Sequence, residues 1–493
     1  MSPRYGSCAL ALLVSLACAG CMGSGRTEQQ AEQTTGETTP GTTEQEAPPP
    51  PSQHFVSRPD LRPPLVHVVT PAHETAPGLI FIAPKKKVDE AGPLILDDAG
   101  RVVWFHPLDT HGVTDFRAQT YRGRPVLTWW RGESKKGIGN GRYVIYDDRY
   151  RLVKNVSAGN GLSGDIHEFL ITQRDTALFT VYRRVPYDLS KLGGPKDGAL
   201  NEGVVQEVDI DTGRVLFEWH SLPHVPVDES YEPLPKDDEP WDYFHINAIE
   251  DDGHGALLVS ARHTHAIYKL RESDGAVVWR LGGKKSDFTF GDGARFAWQH
   301  DPRRQADGTL TLFDNAASRP KQAPESRVLD LRLDEQARKA TLVRSYTHPK
   351  ELLSTSQGNA ETLPDGHVFV GWGSNEYFTE FDRDGRVLLD VRFGSGGADS
   401  YRAYRMPWDG RPVDRPAAAV RDDGGRTTVY ASWNGATDVR RWRVVAGGRT
   451  VAEAATAGFE TAIPIQSDAR RFVVQALDAN GRALGSSTPV AHG

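Results

Sequence analysis

Apolar residues along this chain come in short runs, mostly four to eight long, and no long stretch repeats them at helical spacing. Gly, Asp and Asn close the runs, which is the punctuation of strands and tight turns. One unit recurs: a strand, an acidic turn with Gly, then an apolar strand carrying Trp or Phe. Clear copies are LILDDAGRVVWFH from Leu94, QEVDIDTGRVLFEWH from Gln206, YKLRESDGAVVWRLGG from Tyr268 and TEFDRDGRVLLDVRF from Thr379. Weaker copies start at Tyr143 and Leu329. Each reads as a hairpin with its turn supplied by Asp and Gly. A second hairpin precedes most of them, as in EDDGHGALLVSAR and LPDGHVFVGWG. The paired units are roughly 50 to 60 residues long, in the range of propeller blades. Six fit between about Pro64 and Trp408. The reading is therefore all-β: a six-bladed β-propeller over residues 54–412, preferred to a sandwich array or solenoid because polar residues fall at similar points in successive units. After Trp408 the pattern changes at Pro412 and Pro416. Short alternating strands with a Trp then predict a small β-sandwich over residues 413–493, similar to a fibronectin type III module.

The N-terminal end obeys other rules. Residues 1–20 carry Arg4 and an apolar run from Cys8 to Ala19, the length of a signal-peptide core and too short to span a bilayer. Ala19-Gly20-Cys21 resembles a bacterial lipobox, with Cys18 where Leu is usual. Cys21 is the candidate lipidation site, and a plain secretory signal is the competing reading. The expected location is the outer face of the bacterial cell membrane through a lipid anchor, or secretion if no lipid is attached. All three cysteines lie within residues 1–21, and Cys21 would be the lipidated one, so the mature body is read without disulfide or thiol chemistry. Residues 21–53 are Thr, Glu, Gln, Gly and Pro with almost nothing apolar, a composition for a disordered tether. The net charge of −7 and the lack of a long basic run argue against a nucleic-acid partner.

Candidate chemistry concentrates between Trp241 and Asp301. In WDYFHINAIE, strand alternation would put His245 and Asn247 on one face. Buried polar groups of this kind need partners or a task. Arg262 ends the run LLVSA, and its guanidinium offers a planar fork of donors for an oxyanion. Alternation would put His263 and His265 on the face opposite Arg262, so no metal pair is read in RHTH, and no metal is assigned. His300 sits in WQHDP, and His167 in GDIHEFL. Imidazoles, a carboxamide and a guanidinium converging on one place suit an anionic ester, because imidazole can serve as nucleophile or proton carrier near neutral pH.

The succession HE at His167, DYFHIN from Asp242, SARH from Ser260, WRLGG from Trp279, WQHD from Trp298, LFDN from Leu312 and GNAETLPDG from Gly358 resembles the arylsulfotransferase family, over about Ser57 to Trp408. The resemblance implies a six-bladed propeller with its site on the axis. It also implies transfer of a sulfuryl group from a phenolic sulfate ester to a phenol, with no nucleotide sulfate donor and no cofactor. By position, His300 matches the histidine that becomes sulfated, and His245 and Asn247 the pair around the sulfuryl group. Arg262 matches the sulfate-binding arginine, and His167 a further site histidine. Partners would be small phenolic sulfates and phenols, and the sequence leaves oligomeric state open. Gln357, Asn359 and Glu361 fall where an axial loop is expected but receive no role. A surface lipoprotein whose propeller binds a sulfated or aromatic ligand without catalysis is the alternative. A quinone-dependent dehydrogenase would need stacked Trp motifs and a calcium site, which are not found.

Overall fold

The computed structural model describes residues 49–236 and 238–491. The expected signal segment, Cys21 and the tether up to residue 48 lie outside the described residues. The tether boundary at residue 53 needs correction. Ser52 bridges to Pro64, and Gln53 donates its backbone N–H to the Pro63 carbonyl at 2.8 Å. Paired backbone amides hold these residues on the folded body, so it begins before residue 54.

Among the described residues regular structure is strand, apart from two single turns of 3₁₀ helix at Ser190–Leu192 and Val227–Glu229. Antiparallel four-stranded units follow one another. Ile246–Gly253, Ala256–Ala261, Ala266–Arg271 and Val277–Gly282 form one of them, paired strictly in sequence order. An eight-stranded sheet is two such units, whose halves meet through the single pair Gly141 with Gly164. The last unit is closed by both ends of the chain. The late strand Ala403–Met406 pairs with the early strand Leu79–Ile82, in register from Leu79 with Met406 to Ile82 with Ala403. The innermost strands touch in a closed cycle: Val113–Tyr121, Gly164–Ile171, Ile246–Gly253, His300–Arg304, Asn359–Thr362, Ala403–Met406 and back to the first. That cycle is the ring of a propeller.

The repeated outer hairpins share one device. In Asp97–Arg101, Asp147–Arg151 and Asp382–Arg386, one carboxylate oxygen accepts the backbone N–H groups two and four residues on. The other oxygen pairs with the arginine. The residue before the arginine takes a left-handed φ, supplied by Gly100 and Gly385 but by Tyr150 at 61° in the middle copy. The exception has a use. The Tyr150 ring stacks on Trp104, and its hydroxyl donates to the Gly435 carbonyl at 2.8 Å.

Gly435 belongs to the C-terminal part. There Ala417–Asp423, Arg426–Ser432 and Glu460–Ile465 form one sheet. Arg449–Ala455, Arg441–Ala446, Arg471–Leu477 and Ala483–Ser486 form the other, with a short added strand at Val490–Ala491. Val429, Ala431 and Ile463 of the first sheet share a buried core with Trp442, Val444 and Phe472 of the second, so the two form a sandwich. Asn434 exchanges two hydrogen bonds with the backbone of Phe105, and Glu460 accepts N–H groups from Val56 and Ser57. The sandwich is thereby docked on the closing unit of the propeller. A groove of about 1090 Å³ beside this contact is lined by Tyr121, Arg149, Gly410 and Trp433, away from the histidines.

Candidate active site

One end of the propeller axis opens into a cavity of about 450 Å³. His167, His245, Arg262 and His300 line it, with Trp130, Ile166 and Tyr401 as apolar wall and Lys85, Lys86 and Lys136 toward the mouth. The long hairpin made by Arg124–Lys135 and Ile138–Asp147 overhangs it. Gly137, at a φ of 84°, forms its tip, and a Cβ there would lie 3.4 Å from the His245 ring. Gly132, Gly139 and Gly141 flank Trp130 so closely that a Cβ on any of them would clash with the indole.

The histidines are aimed by partners. His167 Nδ1 is tied to the buried Asp165 carboxylate. His245 Nδ1 lies 2.5 Å from Asp242 Oδ2. His300 Nδ1 lies 2.6 Å from Asn315 Oδ1 and 3.0 Å from the Trp298 carbonyl. All of these partners are acceptors, so each Nδ1 carries the proton and each Nε2 keeps a lone pair. The Nε2 of His300 accepts the Gln357 backbone N–H at 3.2 Å. The rings of His167 and His245 meet edge to face at 4.9 Å, and Tyr401 stands edge-on to both His167 and His300.

Burial sets the charges. It pushes His245 and His300 well below the ordinary imidazole value, with Arg262 and the neighbouring histidines adding to the effect. Both rings are neutral near pH 7. Burial likewise pushes the Arg262 guanidinium down to about 10, and it remains a cation. Arg262 stacks on the Trp298 indole, 3.6 Å from its ring centre, and donates to the Thr355 carbonyl at 3.1 Å. These contacts hold the planar fork at the cavity wall.

Two alternation arguments fail here, for local reasons. His245 adopts a left-handed φ of 52° and the strand starts only at Ile246. Asn247 therefore does not share its face. It is fully buried outside the lining, and its Nδ2 donates to the Gln299 carbonyl at 2.7 Å. Asn247 supports the residue preceding His300 and does not reach the cavity. Residues 262–265 form the turn between two strands, so His263 points with Arg262, its Nε2 2.7 Å from Arg262 Nη1. Asp242, His245 and His263 bring one ligand atom each within 4.8 Å of one another. They are the described residues that would hold a cation, but the guanidinium against His263 sets a positive charge beside that place.

Beneath the cavity the axis is filled by charge. Glu168 accepts Arg117, Arg303 and Arg402 at 2.5, 2.6 and 2.8 Å, while Asp115 pairs with Arg402 and Asp301 with Arg303. Burial opposes ionisation of Glu168, yet the three guanidinium groups hold its carboxyl far below the ordinary range. In both HE and HD, the imidazole faces the cavity and the adjacent carboxylate enters this plug. Asn359 pins the closing strand through two bonds with Ala403, and Glu361 accepts the Arg405 N–H.

Sequence reasoning did not identify Asp165, Asp242, Asn315, His263, Tyr401 or Lys85 as site residues. Asn315 and Gln357 lay inside stretches already singled out, and the acids two and three residues before His167 and His245 were visible signals.

Comparison with known proteins gives the family. No curated protein matches the sequence. Among solved structures, a protein of unknown function from Bacteroides caccae is 12% identical over 66% of this chain and 98% of its own, with a TM-score of 0.39. The periplasmic gluconolactonase of Pseudomonas aeruginosa is 12% identical over 84% and 96%, with a TM-score of 0.36. A catalytically inactive virginiamycin B lyase from Staphylococcus aureus, solved with quinupristin, is 8% identical over 82% and 99%, with a TM-score of 0.34. The family model described as arylsulfotransferase (ASST) matches residues 117–394, more than half of the 493 residues. That match spans His167, His245, Arg262 and His300, and the chain belongs to the arylsulfotransferase family.

Proposed function

We propose that the protein moves a sulfuryl group from a phenolic sulfate ester to a phenol through a sulfated His300, without a nucleotide sulfate donor. The observation that carries the reading is the setting of His300. Its Nδ1–H is held by Asn315 and Trp298, burial keeps it neutral, and its Nε2 lone pair lies in a cavity that also contains Arg262. In the first half-reaction Nε2 attacks sulfur, the sulfur–aryl oxygen bond breaks, and the phenolate leaves with the electron pair. Asn315 and the Trp298 carbonyl stabilise the charge that grows on the ring. The Gln357 N–H, which occupies that lone pair in the free protein, must swing off Nε2 before attack; it and Arg262 then face the sulfuryl oxygens. In the second half-reaction the acceptor oxygen attacks sulfur, its proton passes to Nε2 of His245 or His167, and the nitrogen–sulfur bond breaks. Asp242 and Asp165 hold those rings in the proton-accepting tautomer and stabilise the imidazolium that forms. A cavity of about 450 Å³ with apolar walls suits an aryl ring.

Purified protein given a chromogenic phenyl sulfate should release the phenolate, and added phenol should accelerate release and become sulfated. Release with no sulfated phenol would make the protein a sulfatase and overturn the reading. The same proposal places the protein outside the cell, anchored through Cys21. An N-terminal peptide mass without lipid would remove that part.

A further inference from the structure

The cavity has a second charged wall that attack by His300 does not use. Lys85 exchanges backbone hydrogen bonds with Asp399, which fixes the loop on the closing unit. Lys86 and Lys87 then take left-handed φ values of 53° and 41°. Such values cost on the order of 1 kcal/mol each in residues with a Cβ, and persist where surrounding structure enforces them. The ammonium groups of Lys85 and Lys86 reach one carboxylate. Lys85 Nζ lies 2.9 Å from Asp399 Oδ1 and Lys86 Nζ 2.6 Å from Oδ2. Two cations on one anion leave a positive charge, and Lys85 and Lys86 both line the cavity while Asp399 lies behind them. Among the described residues, no acidic side chain lines the cavity. Lys85 also lies 2.8 Å from Gln357 Oε1, and the backbone N–H of that same Gln357 rests on His300 Nε2. The excess charge is thus one residue away from the reacting nitrogen.

We propose that Lys85 and Lys86 form a second anion subsite, and that the aromatic substrate carries a ring carboxylate that docks there while its sulfate ester or hydroxyl reacts at His300. This rests on the sulfuryl-transfer reading. A phenyl ring between the two ends would lie against Trp130 and Tyr401.

The test compares phenyl sulfate with 4-carboxyphenyl sulfate as donors to one phenol, using the parent protein, Lys86→Gln and Lys86→Arg. The parent should show a kcat/KM about tenfold higher for the carboxylated donor, one charge contact in a partly desolvated site. Lys86→Gln should bring the ratio toward one, and Lys86→Arg should restore it. A ratio near one in the parent, or a ratio unmoved by Lys86→Gln, overturns the subsite while leaving sulfuryl transfer intact. Should neither donor turn over, the sulfuryl-transfer reading fails, and calorimetry with 4-hydroxybenzoate and phenol decides the subsite separately. Tighter binding of 4-hydroxybenzoate that is lost in Lys86→Gln supports it, and equal binding overturns it.

Discussion

Burial, more than any single partner, sets the charge of His245, His263 and His300. All three are pushed below the ordinary value by desolvation first; the Arg262 charge adds to the effect in each, and at His263 the Asp242 carboxylate opposes it. A nucleophile benefits, since only the neutral ring attacks. Stability bears the cost. The unfolded chain takes up protons on these side chains near pH 6.5, whereas the folded chain does so only at lower pH. Between those limits the unfolded state binds more protons, so stability falls as the solution is acidified below about pH 6.5, by up to about 1.4 kcal/mol per pH unit for each group. The melting temperature should therefore drop from pH 7 to pH 5, and His263→Gln should flatten the drop. A melting temperature independent of pH over that range would contradict the account of the buried histidines.

Elements place these residues through departures from regular strand. Asp115, His245, Trp298, Asp301 and Gln357 all take left-handed φ without being glycine, and all lie at or beside innermost strands. Alternation was legible in the sequence, but such departures were not, which is why Asn247 was expected in the cavity and His263 away from it. The hairpin repeats were legible because Asp and Arg four apart fix their own turn. The paired residues His167-Glu168 and His300-Asp301 were legible as motifs, whereas their division between cavity and plug depends on the ring. The plug gives a second expectation. Glu168→Gln would leave Arg117, Arg303 and Arg402 short of one charge in a buried site, and loss of one partner in such a group costs about 3–5 kcal/mol. Urea denaturation should show that loss. A change under 1 kcal/mol would mean that the plug does not depend on Glu168.

For the whole molecule, ring closure decides what sequence order hides. Lys85 and Asp399 are distant in the chain and adjacent in space because Leu79–Ile82 pairs with Ala403–Met406. No local pattern announces that contact. The sandwich is attached to the same closing unit through Asn434, to the next unit through Tyr150 and to the N-terminal segment through Glu460, and none of its residues lines the cavity. Removal of residues 413–493 should lower the melting temperature by several degrees through lost docking while turnover per folded molecule stays close to that of the full chain. Turnover that vanishes in a truncated protein still folded by circular dichroism would show that the sandwich shapes the site. The central claim is that His300 itself carries the sulfuryl group between the two substrates. The most direct measurement is to mix enzyme with aryl sulfate alone, quench within one turnover and map the adduct by peptide mass. The account predicts one sulfate on His300, absent in His300→Ala and discharged by added phenol. A sulfate on His167 or His245, or no adduct in an enzyme that transfers only with both substrates bound, would contradict it.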